Sequence, residues 1–356
     1  MKKLTPAIPK TAFSRLLLKW NRKQNTRQMP WKGEKDPYLI WLSEIILQQT
    51  RVEHGLNYYN KFVKAFPDVH KLAKAPGEKV FKLWEGLGYY TRCRNLIASA
   101  KYISKELKGK FPGTYETIKA LKGVGPYTAA AISSFAFNES HAVVDGNVFR
   151  VLARVFGISK AIDSTRGKKH FTALAQELLD KKQPGLYNQA IMDFGAIICK
   201  PATPLCSNCI FNKTCYAFLN DKINVLPVKE KKLTIKNRWF FYLILEYRNT
   251  IALRERTSKD IWQGLFEFPL LEMKKDEPVN ILLKKAEINN LLPKHGYKLL
   301  EVSPLYKQQL SHQLLAGRFL RISVSKKHAL GDWKWIEKNK LARYPLPKFI
   351  NQHLME

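Results

Sequence analysis

Apolar residues recur with a helical period through the first two hundred positions. In 12–23, Phe13, Leu16, Leu17 and Trp20 fall at i, i+3, i+4 and i+7, the stripe of an amphipathic helix. The same reasoning predicts helices at 38–49, 98–108, 114–121, 126–137, 148–156, 167–180 and 187–199. Pro67, Pro76-Gly77, Pro112-Gly113 and Pro184-Gly185 break the pattern between them. After Cys215 the character changes. Residues 221–238 are polar, charged and interrupted by Pro227, and their middle, 226–235, reads as a linker. Beyond it the pattern predicts strands at 239–247, 251–256, 261–270 and 314–325, with helices at 279–292 and 347–354. The predicted organisation is an all-α domain (1–225), a linker, and an α+β domain (236–356), separable across the linker.

Composition sharpens this. The chain has 356 residues, 45% hydrophobic and 12% aromatic, enough to build real cores and too much for a disordered basic tail. Near its middle the longest apolar run is Trp239 to Leu245, closed by Glu246, too short for a membrane span. The N-terminal MKKLTPAIPK has lysines with no apolar stretch behind them, which argues against secretion. The expected location is cytoplasmic, nucleoid-associated in a bacterium. The formal net charge is +32, and both predicted domains share the excess. Such a field points to a polyanion, most simply a phosphate backbone.

Candidate chemistry clusters at four places. Cys199, Cys206, Cys209 and Cys215 are spaced C-x6-C-x2-C-x5-C in a loop-like stretch, 199–215. Four thiolates so close can converge on one metal centre, and the spacing alone leaves both an iron–sulfur cluster and zinc open. In 114–137, Lys122-Gly123-Val124-Gly125 separates two predicted helices and Pro126 opens the second. Free amides at that helix start suit a phosphate. Glu44 lies among Leu42, Ile45, Ile46 and Leu47, so burial should raise its pKa and let it act as a general acid. Asp145 follows Ala142-Val143-Val144 and precedes a helix. It reads either as a helix cap or as a carboxylate held ionised at a helix N-terminus. One protonated acid and one fixed carboxylate are the parts needed to cleave a glycosidic bond.

The segment Ser43-Glu44-Ile45-Ile46-Leu47-Gln48-Gln49-Thr50, the hairpin, Val144-Asp145-Gly146-Asn147 and the four cysteines occur in one order along the chain. Together they resemble the helix-hairpin-helix DNA glycosylases, most closely the adenine-specific MutY family. The hairpin, the aspartate and the cysteines are shared with endonuclease III. The resemblance implies one 4Fe-4S cluster rather than zinc. It implies a monomer acting on double-stranded DNA that contains A:8-oxoguanine or A:G mispairs, with the adenine flipped out of the stack. Glu44 would protonate the adenine ring at N7 and later activate water. Asp145 would stabilise the oxocarbenium ion or trap the sugar, Asn147 would orient Asp145, and Tyr127 would assist. Trp31, Leu47 and Gln189 would line the adenine pocket. Gln49, Thr50 and Tyr89 would fill the gap and meet the opposite base. Tyr127 stands where endonuclease III has a lysine, and a phenol forms no Schiff base. The implied enzyme is therefore monofunctional.

The second domain resembles a Nudix fold through Trp262-Gln263-Gly264-Leu265-Phe266-Glu267. The acidic Nudix box is missing, since the predicted helix 279–292 has one acid, Glu287. Nucleotide hydrolysis is not expected. In the family a Phe-Ser-His loop reads 8-oxoguanine; here it is Leu310-Ser311-His312, and Lys32 follows Trp31 where arginine is more usual. Two alternatives remain: an endonuclease III-type glycosylase with strand cleavage, and a non-catalytic DNA-binding protein with a structural metal.

Overall fold

The computed structural model describes residues 8–230, 234–327 and 332–355. The first part of the chain folds into α1 (Lys10–Gln24), α2 (Pro37–Leu47), α3 (Val52–Ala65), α4 (Val69–Lys74), α5 (Gly77–Trp84), α6 (Tyr90–Lys105), α7 (Tyr115–Lys119), α8 (Pro126–Phe137), α9 (Gly146–Phe156), α10 (Thr165–Leu178), α11 (Pro184–Ile197) and α12 (Tyr216–Leu219). Strands follow as β1 (Lys236–Tyr247), β2 (Thr250–Glu255), β3 (Phe266–Glu267) and β4 (Leu270–Met273). Then come α13 (Val279–Ile288), β5 (Tyr297–Val302), β6 (Tyr306–Gln309), β7 (Gln313–Val324), β8 (Lys334–Glu337) and α14 (Lys348–Leu354). Among the described residues no helix is long and apolar enough to cross a membrane.

Contacts group the chain into two units, 1–73 with 98–231 and 74–97 with 232–356. The first is all-helical. Its core gathers Phe13 and Leu17 from α1, Val148 and Val151 from α9, Phe171 from α10 and Phe194 from α11. Phe211, from the cysteine-rich loop, stacks on Phe13 at 4.7 Å and meets Phe194 edge-on at 5.4 Å. The loop is thereby pinned into the core by an aromatic anchor.

The stretch read as a linker, 226–235, is tied to the helical unit as far as Glu230. Leu226 is buried, its carbonyl accepts from Arg154 Nε at 3.0 Å, and the Val228 carbonyl accepts from the Ile162 amide at 3.0 Å. An Asp163 oxygen accepts from the Glu230 amide at 3.0 Å. The charges of 221–230 hide three apolar side chains, Ile223, Leu226 and Val228, that the helical core takes up.

The second unit centres on a mixed sheet ordered β3-β2-β1-β7-β5, with β4 on β1, β6 on β7 and β8 on β2. β1 and β7 run parallel in the middle. β1 is buried on both faces, as a central parallel strand should be. Phe241, Leu243 and Leu245 meet Leu282 and Ala286 of α13 on one side. Phe349 of α14 joins Tyr242, Trp262, Tyr306 and Phe319 in an aromatic cluster. Gly317 lets β7 approach β1: a Cβ there would sit 1.7 Å from the Phe240 carbonyl oxygen. α5 and the start of α6 belong to this unit. Lys82 Nζ donates to the Tyr344 carbonyl at 3.2 Å, and Glu85 Oε1 accepts from the Leu346 amide at 2.9 Å and from Asn351 Nδ2 at 2.6 Å.

Candidate active site

Glu44 sits in the middle of α2, a helix apolar nearly all round, and is 8% exposed. Asp36 caps the start of α2 by accepting from the Tyr38 amide at 2.8 Å, with Pro37 in the first turn. One turn after Glu44, Gln48 Nε2 donates to Thr128 Oγ1 on α8 at 3.1 Å, tying the two helices. Tyr127, in the first turn of α8, hydrogen-bonds Glu44, and its hydroxyl lies 3.5 Å from Met192 Sδ. Asp145 is the N-cap of α9: one carboxylate oxygen accepts from the Val148 amide at 2.8 Å and the other from Asn147 Nδ2 at 2.8 Å. It is close enough to Glu44 for their charges to interact. Of the two readings the sequence offered, the helix cap is present, while burial opposes the ionised carboxylate.

The two acids differ in their surroundings. Burial pushes the Glu44 carboxyl up to about 7; Asp145 adds to the rise and the Tyr127 hydrogen bond opposes it. Burial also raises Asp145, and here it outweighs the Val148, Asn147 and Arg150 groups that favour the charged form. The donors expected at this helix start are present, but they do not dominate. Burial, then Glu44 and Asp145, push the Tyr127 phenol well above its ordinary value, so it stays a neutral hydrogen-bond donor.

Asn147 is itself held. Its Oδ1 accepts from Arg150 Nη2 at 2.8 Å, and Arg150 also donates to the Cys199 and Gly195 carbonyls, each at 2.7 Å. A Cβ on Gly195 would lie 2.6 Å from Asn147 Cβ, so α11 presses on the start of α9 only because position 195 is glycine. Arg150 escaped the sequence reading. Its signal was an arginine three residues after Asn147 on a helix with few exposed positions.

The three residues assigned to the adenine pocket have partners of their own. Trp31 lies edge-on to Tyr59 at 5.2 Å, Leu47 packs over Gly55, and Gln189 Nε2 donates to Asp193 Oδ1 at 2.9 Å. Asp193 is fully buried and is also met by Asn25 and Arg27 at 2.8 and 2.9 Å and by Lys32 at 3.1 Å. Asp193 and Arg27 were also missed. An acid one helical turn after Gln189 was the available clue. Gln49 is exposed just past α2 at φ 58°, and Thr50 closes that turn through its amide to the Leu47 carbonyl at 3.0 Å. A positive φ on a non-glycine residue is costly and concentrates where function constrains the backbone.

The hairpin joins α7 to α8. Gly123 turns with φ 83°, while Gly125 is extended and precedes a helix start that no side chain caps. Lys122 is exposed, Val124 is buried, and a Cβ on Gly125 would meet nothing within 4 Å. The second glycine is therefore not required by the fold.

Cys199, Cys206, Cys209 and Cys215 line one small cavity with Val155, Phe194 and other apolar side chains. Burial pushes Cys209 up to about 12 and Cys215 up to about 11, with the other thiols adding to both. As free thiols they hold their protons, so a metal would bind with proton release. Among the described residues no three such groups gather tightly enough for a single ion.

In the second unit, Tyr89, Leu310, Ser311 and His312 line a cleft of about 480 Å³ with Arg94 and Trp262. The loop is a tight turn in which the Leu310 amide donates to the Gln313 carbonyl at 2.7 Å. Tyr89, at φ 51°, hydrogen-bonds Ser311 through its hydroxyl. The only acid of α13, Glu287, accepts from the Tyr297 hydroxyl at 2.7 Å.

Comparisons with known proteins agree with this layout. Residues 42–180 match the HhH-GPD superfamily of base excision DNA repair proteins, and 240–356 match the NUDIX domain. An adenine DNA glycosylase of Buchnera aphidicola subsp. Acyrthosiphon pisum is 34% identical over 304 residues, covering 84% of this chain and 87% of that protein. The human adenine DNA glycosylase is 44% identical over 216 residues, 58% of this chain and 39% of the human protein. A thermostable thymine-DNA glycosylase superposes with a TM-score of 0.54 at 31% identity, covering 59% of this chain and 96% of that one. On these matches, the longest of which runs through both domains, the chain belongs to the adenine DNA glycosylase family.

Proposed function

We propose that the protein removes adenine mispaired with 8-oxoguanine or guanine from duplex DNA by hydrolysis of the N-glycosidic bond, without cutting the strand. The observation that carries the reading is Glu44, a carboxyl at about 7, buried beside a neutral phenol and a second carboxylate. Below that pH Glu44 holds a proton to give. It donates to the adenine ring, and the bond from the ring nitrogen to the sugar C1′ breaks with its electron pair leaving on the base. Asp145, supported by Asn147 and the Val148 amide, meets the positive charge that develops on the sugar. Glu44, now a carboxylate, takes a proton from the water that attacks C1′, and the acid is restored. Tyr127 donates to Glu44 and offers no amine for a Schiff base, which favours the monofunctional reading. Trp31, Leu47 and Gln189 with its Asp193 partner form the base pocket. Gln49 and Thr50 act at the strand gap, and residues 122–125 hold a backbone phosphate. Tyr89, Leu310, Ser311 and His312 contact the base opposite.

The four cysteines fit a 4Fe-4S cluster. All four line one small cavity whose walls are mostly apolar, which suits a cluster held by four cysteine thiolates. When bound, such a cluster cross-links four points of the chain and carries an exchangeable electron.

The test is single-turnover excision from a duplex with one A:8-oxoguanine pair, split with and without alkali. Free adenine, with strand breaks only after alkali, is expected. Strand breaks of equal yield without alkali would transfer the reading to a lyase. Glu44→Gln should bind that duplex and release adenine roughly 10² to 10⁴ times more slowly.

A further inference from the structure

Arg154 lies on α9, one turn beyond Arg150, and is 2% exposed. Its guanidinium donates to the Lys200, Pro201 and Leu226 carbonyls at 2.7, 2.9 and 3.0 Å, and to Cys199 Sγ at 3.6 Å. None of these partners is a carboxylate. Two buried arginines of the second unit are treated otherwise: Arg238 faces Asp260 and Glu272, and Arg256 faces Asp260 and Glu267. A guanidinium taken out of water gains from an anion nearby, because carbonyl dipoles return only part of the lost hydration. Arg154 also touches the last cysteine: its own carbonyl accepts from Cys215 Sγ at 3.4 Å. One residue thus contacts the first and the last of the four thiols, at the wall of the cavity they share.

We propose that Arg154 is the counter-cation and hydrogen-bond donor of the metal centre, acting through the Cys199 thiolate, and that its fork fastens both ends of the cysteine loop to α9. This rests on the cluster reading above. Four thiolates around an iron–sulfur core leave net negative charge, which places an anion beside Arg154. Its other donors hold residues 200, 201 and 226, the chain just after the first cysteine and well after the last. Arg154 is a positioning residue: it acts on the cluster through a ligand and meets neither base nor sugar. A cation and an N–H on a ligand sulfur stabilise the more negative, reduced state, so they raise the reduction potential.

The experiment compares anaerobically purified wild type, Arg154→Lys and Arg154→Gln. Iron and sulfide are assayed first, then the midpoint potential on DNA-coated electrodes, then the rate at which ferricyanide bleaches the visible band. Arg154→Gln should shift the potential negative and bleach roughly tenfold faster, the scale for losing an outer partner of a metal ligand. Arg154→Lys keeps the charge and should recover most of the potential. It should still bleach faster, because an ammonium cannot serve four acceptors set around a planar fork. If Arg154→Gln does not fold, the lysine variant decides on bleaching alone. Unchanged potential in a fully loaded Arg154→Gln, or wild-type bleaching in Arg154→Lys, overturns the proposal. Stoichiometric zinc without sulfide in the wild type removes the cluster reading itself, and the assay order makes that failure visible before any variant is measured.

Discussion

Glu44 holds its proton to about pH 7 in the folded chain, against an ordinary carboxyl value near 4.5 when unfolded. Its folded pKa is raised, so its contribution to stability is complete below about 4.5 and is lost as pH climbs to about 7. The loss is roughly 3 kcal/mol on the alkaline side, since each tenfold change in proton affinity is worth about 1.4 kcal/mol. Glu44→Gln has no proton to lose. It should excise far more slowly yet be more stable than wild type at pH 8, with the difference fading at pH 4, as read from urea unfolding at the two pH values. Equal stability at both would mean that Glu44 is not held protonated. Tyr127 gives a second, signed expectation. Its hydrogen bond lowers the Glu44 pKa, so Tyr127→Phe should move the alkaline limb of the excision rate to higher pH while lowering the plateau. A limb that moves to lower pH contradicts the arrangement. Both effects follow from one buried acid that the sequence already exposed, through a glutamate among Leu42, Ile45 and Ile46. What no periodicity could show is the identity of its neighbours, because Tyr127 and Asp145 come from helices about 80 and 100 positions away.

At the level of elements, two glycines make opposite cases. Gly195 lies under Asn147, and an added Cβ would be 2.6 Å from Asn147 Cβ and 3.1 Å from its Cα. Gly195→Ala should therefore displace α9 at Asn147, the residue that supports Asp145. It should cost about 1–3 kcal/mol of stability and roughly 10- to 100-fold in excision rate, since small misplacements are costly. Gly125 has open space and an ordinary φ of −93°. Gly125→Ala should leave the melting temperature unchanged and weaken DNA binding, because on the proposed reading the methyl would stand where a phosphate reaches the amides of α8. Loss of stability without loss of affinity would show that the hairpin serves the fold alone. Long helices were legible in the sequence: the apolar stripe of 12–23 lies inside α1, and 126–137, opened by Pro126, falls on α8. The helices α3, α4 and α5 were not predicted; two are eight residues or shorter, and α3 contains Gly55 among polar residues. The predicted strand 261–270 is broken, because Trp262 and Gly264 turn at φ 64° and 89° and Pro269 follows β3. β5, β6 and β8 lie at the margins of the sheet with alternate residues exposed, so they lack the apolar run that marks β1 and β7.

For the whole molecule, the +32 charge predicts DNA binding that weakens steeply with salt. About four phosphate contacts would already cost roughly a hundredfold between 50 and 200 mM, and a flat plot of log K against log salt would remove that reading. The division of the chain is the less obvious matter. A polar stretch around 226–235 suggested that removing the second domain would leave an intact first one. Yet 74–97, which precedes that stretch by more than a hundred residues, folds with 232–356. Phe81 lies against Gly264, where a Cβ would come within 2.8 Å of its ring, and Glu85 holds the Leu346 amide and Asn351. A fragment ending at 231 keeps 74–97 and loses these partners, so it should melt below the full chain and present Phe81 to solvent. Glu85 separates this cause from a general weakening. In the full chain, Glu85→Ala strands one amide and one side-chain donor, at about 1–3 kcal/mol for a buried group left unpaired. In the fragment those donors are gone, while the ion pair with Lys82 remains, which is worth little at the surface. The substitution should therefore lower the melting temperature of the full protein clearly and that of the fragment hardly at all. The same drop in both would mean that Glu85 acts within 74–97 itself, and that the segment does not depend on the second domain for its place.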